Sequence, residues 1–117
     1  MVQRFEPGKR MSQAVVHNGT VYLAGQVADE DPTQDIVGQT RQVLAMIDRL
    51  LQQAGSDKRH ILMAQIFLAD MAEFAGMNSV WDSWVPAGHT PARATVQAAL
   101  AAPEWKIEIV VTAATTS

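Results

Sequence analysis

The stretch Ile61-Leu62-Met63-Ala64-Gln65-Ile66-Phe67-Leu68 is apolar on both of its alternating faces, apart from Gln65. A strand buried on both sides has this pattern. One face can pack on helices, and the other needs a second subunit. Helical patterns flank it on either side. Upstream, Ile36, Val43, Leu44, Ile47, Leu50, Leu51 and Ala54 recur at helical spacing. They predict an amphipathic helix from Ile36 to Ala54, about five turns long, with Gly55 at the left-handed C-cap position. Downstream, Asp70-Met71-Ala72-Glu73 has the Asp and Glu of a capping box. The helix it opens carries Phe74, Met77, Trp81 and Trp84 on one side and ends before Pro86.

The remaining segments are β-rich. Ser12 to His17 and Thr20 to Val27 are joined by Asn18-Gly19, a strong hairpin signal because both residues tolerate positive φ. Gly25-Gln26 interrupts the second run, which suits a bulge or the close approach of another backbone. Arg93 to Leu100 and Trp105 to Ala113 form two further strands around Ala102-Pro103. The predicted order is β-β-α-β-α-β-β. It fits a two-layer α+β domain spanning 1–117, with helices on one sheet face and the other face left apolar. Such a face predicts a closed oligomer.

Composition narrows the function classes. Hydrophobic residues make up 48% of the 117 and charged residues only 18%, an excess that an oligomer interface would absorb. No run approaches the ~20 apolar residues of a membrane span, and Met1 to Pro7 has no signal-peptide core. A cytoplasmic setting is therefore expected. The absence of cysteine removes thiolate nucleophiles and Cys-type zinc sites. A net charge of −3 and scattered basic residues argue against nucleic acid, whose binders usually carry a basic stripe. Lys58-Arg59 reads as a solvated turn. His17, His60 and His89 lack metal-ligand spacing, so no metal is expected. Ser12 and Ser83 lack a nucleophile elbow. Gly25, Gly38 and Gly55 are isolated and make no phosphate loop.

Two charged residues stand out against this apolar background. Arg93 follows Pro91-Ala92 at the start of a strand, and Glu108 lies inside Lys106-Ile107-Glu108-Ile109. Charges are rarely buried without partners, so opposite charges in adjacent strand-like runs suggest a polar site set into the sheet. Arg93 can fork a ligand carboxylate or form a structural salt bridge with Glu108 or another acid. Glu108 can activate a water as general base or face solvent. Asn78 shares the helical face of Phe74, Met77 and Trp81, and its amide must bond either strand backbone or a site residue. The Trp81 and Trp84 pair reads as helix-to-sheet packing.

Several segments together resemble the RidA/YjgF family of reactive-intermediate deaminases. They are Val21 to Val27, Gln39-Thr40-Arg41, Ile66 to Asp70, Met77-Asn78, Pro91-Ala92-Arg93 and Ile107-Glu108-Ile109. Trp81 to Val85 and Gly88-His89 are most similar to the YoaB-like branch. The resemblance implies a chorismate-mutase-like fold and a homotrimer with ligand sites in clefts between subunits. It implies that Arg93 binds the carboxylate of a 2-imino or 2-oxo acid and that Glu108 places the attacking water. Asn78, Thr95, Gly25 and Met11 join them as substrate-binding candidates. Imine hydrolysis by this route needs no cofactor.

Three positions depart from the deaminase branch. Met11 stands where that branch has Tyr, Ala24 where it has Ser, and Thr95 where it has Cys. The expected function is deamination of 2-imino acids such as 2-aminoacrylate to the 2-oxo acid and ammonia. The alternative is a non-catalytic trimer that binds or senses small carboxylates. An endoribonuclease fits the acidic balance least.

Overall fold

The computed structural model describes residues 1–116. Its elements are β1 (Gln3–Pro7), β2 (Ser12–His17), β3 (Thr20–Leu23), β4 (Gln26–Val27), α1 (Ile36–Gln53), β5 (Ile61–Leu68), α2 (Phe74–Trp84), β6 (Ala92–Gln97) and β7 (Ile107–Ala114). The strands form one sheet in the order β1-β2-β3-β7-β5-β6, with β4 also pairing β7. Only β5 and β6 run parallel, linked by the crossover through α2. The molecule measures 20 Å along its shortest axis, the thickness of one sheet and one layer of helices. It is the α+β arrangement that the alternating patterns predict.

Each helix is placed by its apolar stripe. Val43, Leu44, Ile47, Leu50 and Leu51 of α1 are buried with Ile66 and Leu68 of β5 and Ile107, Ile109 and Val111 of β7 in one core. Asp35 caps α1 by accepting from the Gly38 N–H at 2.9 Å. Gly55, at φ +82°, lets the chain leave the helix in the left-handed region. Asn18 (φ +50°) and Gly19 (φ +76°) make the β2–β3 turn as the sequence predicts.

Five features differ from the sequence expectation. A first strand, β1, pairs antiparallel with β2, although only Phe5 of its residues is half-buried. The run from Thr20 to Val27 is split at Ala24-Gly25 into β3 and β4, both paired with β7. The last two strands are displaced: β6 stops at Gln97, and β7 begins at Ile107 and runs to Ala114. Asp70 does not open α2. Its carboxylate accepts from Ala72 N–H and caps a short 3-10 turn, Met71–Glu73, which precedes the helix. Finally, the strands carrying Arg93 and Glu108 are not neighbours, because β5 lies between β6 and β7.

β5 shows the two-sided character its composition requires. Ile61, Ala64, Ile66 and Leu68 are buried toward the helices, while Met63 and Gln65 are exposed on the other face. Phe67 on that face is half-buried, and Tyr22 of β3 is 51% exposed. A register shift between Ile61 and Met63 breaks the alternation there, so that Leu62 and Met63 are both exposed. No helix among the described residues is long and apolar enough to cross a membrane.

Candidate functional site

The sheet register assigns each candidate charge to a face. Arg93 lies opposite Ala64, which is fully buried on the helix side. Glu108 lies opposite Phe67, on the side away from Ile66 and Ile109. One protomer therefore holds Arg93 and Glu108 on opposite faces, with β5 between them. Of the two readings open for Arg93, the structural salt bridge with Glu108 or another acid does not form among the described residues. Consecutive strands need not be neighbours when a parallel crossover intervenes.

The first cluster surrounds Arg93 on the edge strand β6. Its Nη1 donates to Asn78 Oδ1 at 2.8 Å. The guanidinium carbon lies 5.2 Å from the Trp81 ring centroid and 5.9 Å from that of Phe74, within cation–π range. Among the described residues no carboxylate comes within ion-pair distance. The cation is thus oriented by an amide and two aromatic rings, and its charge is left unmatched. Thr95, two residues along the same strand face, has a buried Oγ1 with no hydrogen-bond partner among the described residues. Buried hydroxyls are normally satisfied, so both residues hold unused bonding capacity in one place. Asn78 bonds a site residue rather than strand backbone. Trp81 supports Arg93, whereas Trp84 turns to α1, donating from Nε1 to Asp48 at 2.9 Å beneath the Lys58 ammonium.

The second cluster surrounds Glu108. Its carboxylate lies over Gly25, where any Cβ would come within 2.8 Å of the Glu108 carboxyl carbon. The interruption at Gly25 is the bulge the sequence allows, since Tyr22 to Gln26 on this side opposes only Thr112 to Ile109 of β7. What approaches the glycine is a side chain of β7 rather than another backbone. Glu108 and Gly25 line a cavity of about 350 Å³ together with Met11, Gln13 and Trp105. Glu6, Asp29 and Arg49 stand on the same walls. Arg49 Nη1 donates to Glu6 at 2.8 Å, which leaves the carboxylates of Asp29 and Glu108 unmatched there. Acceptors dominate this cavity.

Gln13 and Trp105 were not among the residues singled out by sequence. Gln13 alternates with buried Ala14 in an ordinary strand pattern, so nothing in the sequence separates it from a solvent-facing position. No group of three or more His, Cys, Asp or Glu converges as a metal set among the described residues. His60 Nδ1 bonds Asp57 at 2.8 Å at an exposed turn, and this contact holds the Asp57 carboxyl below its ordinary value.

Comparison with known proteins shows what the chain as a whole is similar to. A family model described as Endoribonuclease L-PSP matches residues 1–115. A RutC family protein of Haemophilus influenzae is 49% identical, over 96% of this chain and 97% of that protein. The RutC family protein YoaB of Escherichia coli is 47% identical, over 97% of each.

The chain belongs to the RidA/YjgF (RutC) family.

Solved members of the RidA/YjgF family superpose over nearly the whole length. A member of the YjgF protein family from Neisseria meningitidis has a TM-score of 0.96 at 49% identity, covering 100% of this chain and 97% of that one. Yeast Mmf1 has a TM-score of 0.86 at 32% identity, covering 93% and 90%. The RidA/YjgF fold therefore accounts for the six-strand path with its β4 offshoot and for the two helices on one face.

Proposed function

We propose that the protein is a homotrimer that hydrolyses 2-imino acids to 2-oxo acids and ammonia in clefts between protomers. Each cleft joins the Arg93–Asn78–Thr95 cluster of one protomer to the Glu108–Gly25–Met11 cavity of the next. The observation that carries this is the unmatched guanidinium of Arg93, oriented by Asn78 and Trp81 beside the unpartnered Thr95 hydroxyl. A carboxylate ligand would satisfy both, since the fork of Arg pairs with its two oxygens. The exposed apolar face of β5 and β3 supplies a surface for assembly.

In the proposed reaction, Arg93 holds the carboxylate and Glu108 accepts a proton from a water. The water oxygen bonds to the imine carbon as the C=N π electrons move onto nitrogen. The nitrogen takes that proton back from Glu108 to give the neutral carbinolamine. As the hydroxyl proton then passes through Glu108 to nitrogen, C=O forms, the C–N bond breaks and ammonia leaves. The C=N carbon is already electrophilic, so the route requires no metal or organic cofactor. Met11 and Ala24 bring no hydroxyl to the Glu108 side, and this favours a second reading, a trimer that binds small carboxylates without turning them over. Unmatched carboxylates in the cavity oppose binding of a polyanion, so ribonuclease activity is not proposed.

Generating 2-aminoacrylate with a dehydratase and following ammonia and pyruvate separates these readings. Wild type should exceed the protein-free rate, and Glu108→Gln should lose on the order of a hundredfold, the scale of a general base. Wild type no faster than the control, yet binding 2-oxobutanoate, would leave only the binding trimer.

A further inference from the structure

Gln26 and Gln13 fix the orientation of each other's amides. Gln26 is 2% exposed, and its Nε2 donates to the Ala24 carbonyl at 3.0 Å and to Gln13 Oε1 at 3.0 Å. A backbone carbonyl only accepts, so the end of Gln26 facing Ala24 must be the nitrogen. The same nitrogen faces Gln13, which must therefore present its oxygen. The Gln13 Nε2, with both protons, is left on the other side of the amide. It has no partner among the described residues, and Gln13 lines the cavity that holds Glu108.

We infer that Gln13 is a ligand-binding donor at the Glu108 side of the cleft, giving its free N–H to the oxygen on C2 of the bound acid. The inference rests on the proposed 2-imino acid hydrolysis and adds a residue to it. In the forward reaction that oxygen begins as the attacking water, becomes the carbinolamine hydroxyl and ends as the carbonyl of the 2-oxo acid. At each stage it carries a lone pair that the surrounding carboxylates cannot satisfy. Glu6, Asp29 and Glu108 accept, and Met11 carries no polar hydrogen. With Ala24 beside it also lacking a hydroxyl, Gln13 supplies a neutral donor whose direction is preset by a buried partner. Preset donors aimed at the reacting oxygen are effective because little reorganisation is needed.

The test compares two ligands that differ only at C2, 2-oxobutanoate and butanoate. Both carry the carboxylate that Arg93 would hold, so their affinity ratio cancels effects on the anchor, the fold and net charge. Calorimetry on the assembled wild-type protein should show a preference for 2-oxobutanoate of about tenfold, the scale of one hydrogen bond. Gln13→Met removes the donor. Gln13→Glu also removes it but keeps an oxygen to accept from Gln26, so it carries the test should the first variant fold poorly. Both substitutions should bring the ratio close to one.

An unchanged ratio in the folded variants would overturn the inference and move the donor role to the Trp105 indole. A wild type with no preference would overturn it as well. A wild type that binds neither acid would overturn it together with the hydrolase proposal. A preference that vanishes in both variants, in a protein that fails to speed imine hydrolysis, would remove the hydrolase proposal and keep Gln13 as the donor.

Discussion

The carboxylate of Glu108 occupies the space above Gly25 that a side chain would fill, with its carboxyl carbon 2.8 Å from where a Cβ would stand. A break in a strand and an acid on its neighbour are thus one feature. The missing Cβ admits the carboxylate, and the β3–β4 interruption inserts one extra residue opposite β7.

Gly25→Ala follows directly. The group in the way is the far end of a flexible side chain, so the fold should tolerate the methyl while the carboxylate swings aside. Thermal unfolding should shift little. Imine hydrolysis should fall by roughly a hundredfold, the usual cost of an ångström-scale misplacement. Binding of 2-oxobutanoate through Arg93 should persist, measured by calorimetry on the same sample.

Arg93→Lys keeps the charge and loses the fork. It also loses the planar group that bonds Asn78 and lies over Trp81. Affinity for small 2-oxo acids should drop by on the order of tenfold or more, the scale of a charge-assisted bond. Unchanged affinity in a folded Arg93→Lys protein would remove the anchor role.

Gln39 supports a stability prediction. It is fully buried in α1, donates to the carbonyls of Pro32, Gln34 and Glu104 at 3.0–3.1 Å, and accepts from the Lys106 N–H at 2.9 Å. It ties the loop before α1 to the segment leading into β7. Gln39→Leu would leave partly buried backbone groups of Pro32, Gln34, Glu104 and Lys106 without this partner and should destabilise the fold by roughly 2 kcal/mol, within the usual cost of an unsatisfied group. Urea unfolding at fixed protein concentration measures this; a loss below ~1 kcal/mol would show that water replaces those bonds.

Strongly periodic elements were legible in the sequence. α1 begins at Ile36 as the spacing predicts and ends within a residue of the expected boundary, because its buried stripe and Gly55 both mark it. The Asn18-Gly19 turn was equally clear. β1 was not, since Gln3–Pro7 buries only Phe5 in part and pairs as a strand only because β2 offers it a partner edge. Asp70 signalled a helix start, but its carboxylate closes a 3-10 turn one step earlier. Arg93 and Glu108 became candidates through their isolation in apolar runs, and Asn78 through its position on an apolar helix face, where it bonds Arg93. Their arrangement was hidden: sequence proximity suggested neighbouring strands, whereas the α2 crossover puts β6 beside β5 and leaves β7 on the far side. Gln13 left no sequence signal, because its significance lies in the orientation imposed by Gln26.

The central claim is that each cleft draws Arg93 from one protomer and Glu108 from another. Light scattering should first report a particle of three 12.7 kDa chains. Arg93→Ala and Glu108→Gln proteins, each inactive alone, are then unfolded, mixed in equal amounts and refolded together. If the cleft is shared, random assembly rebuilds about a quarter of the sites with both residues intact, as cyclic symmetry with independent neighbours requires. Imine hydrolysis should return to about that fraction of wild type. Mixed trimers as inactive as their parents would contradict the shared cleft.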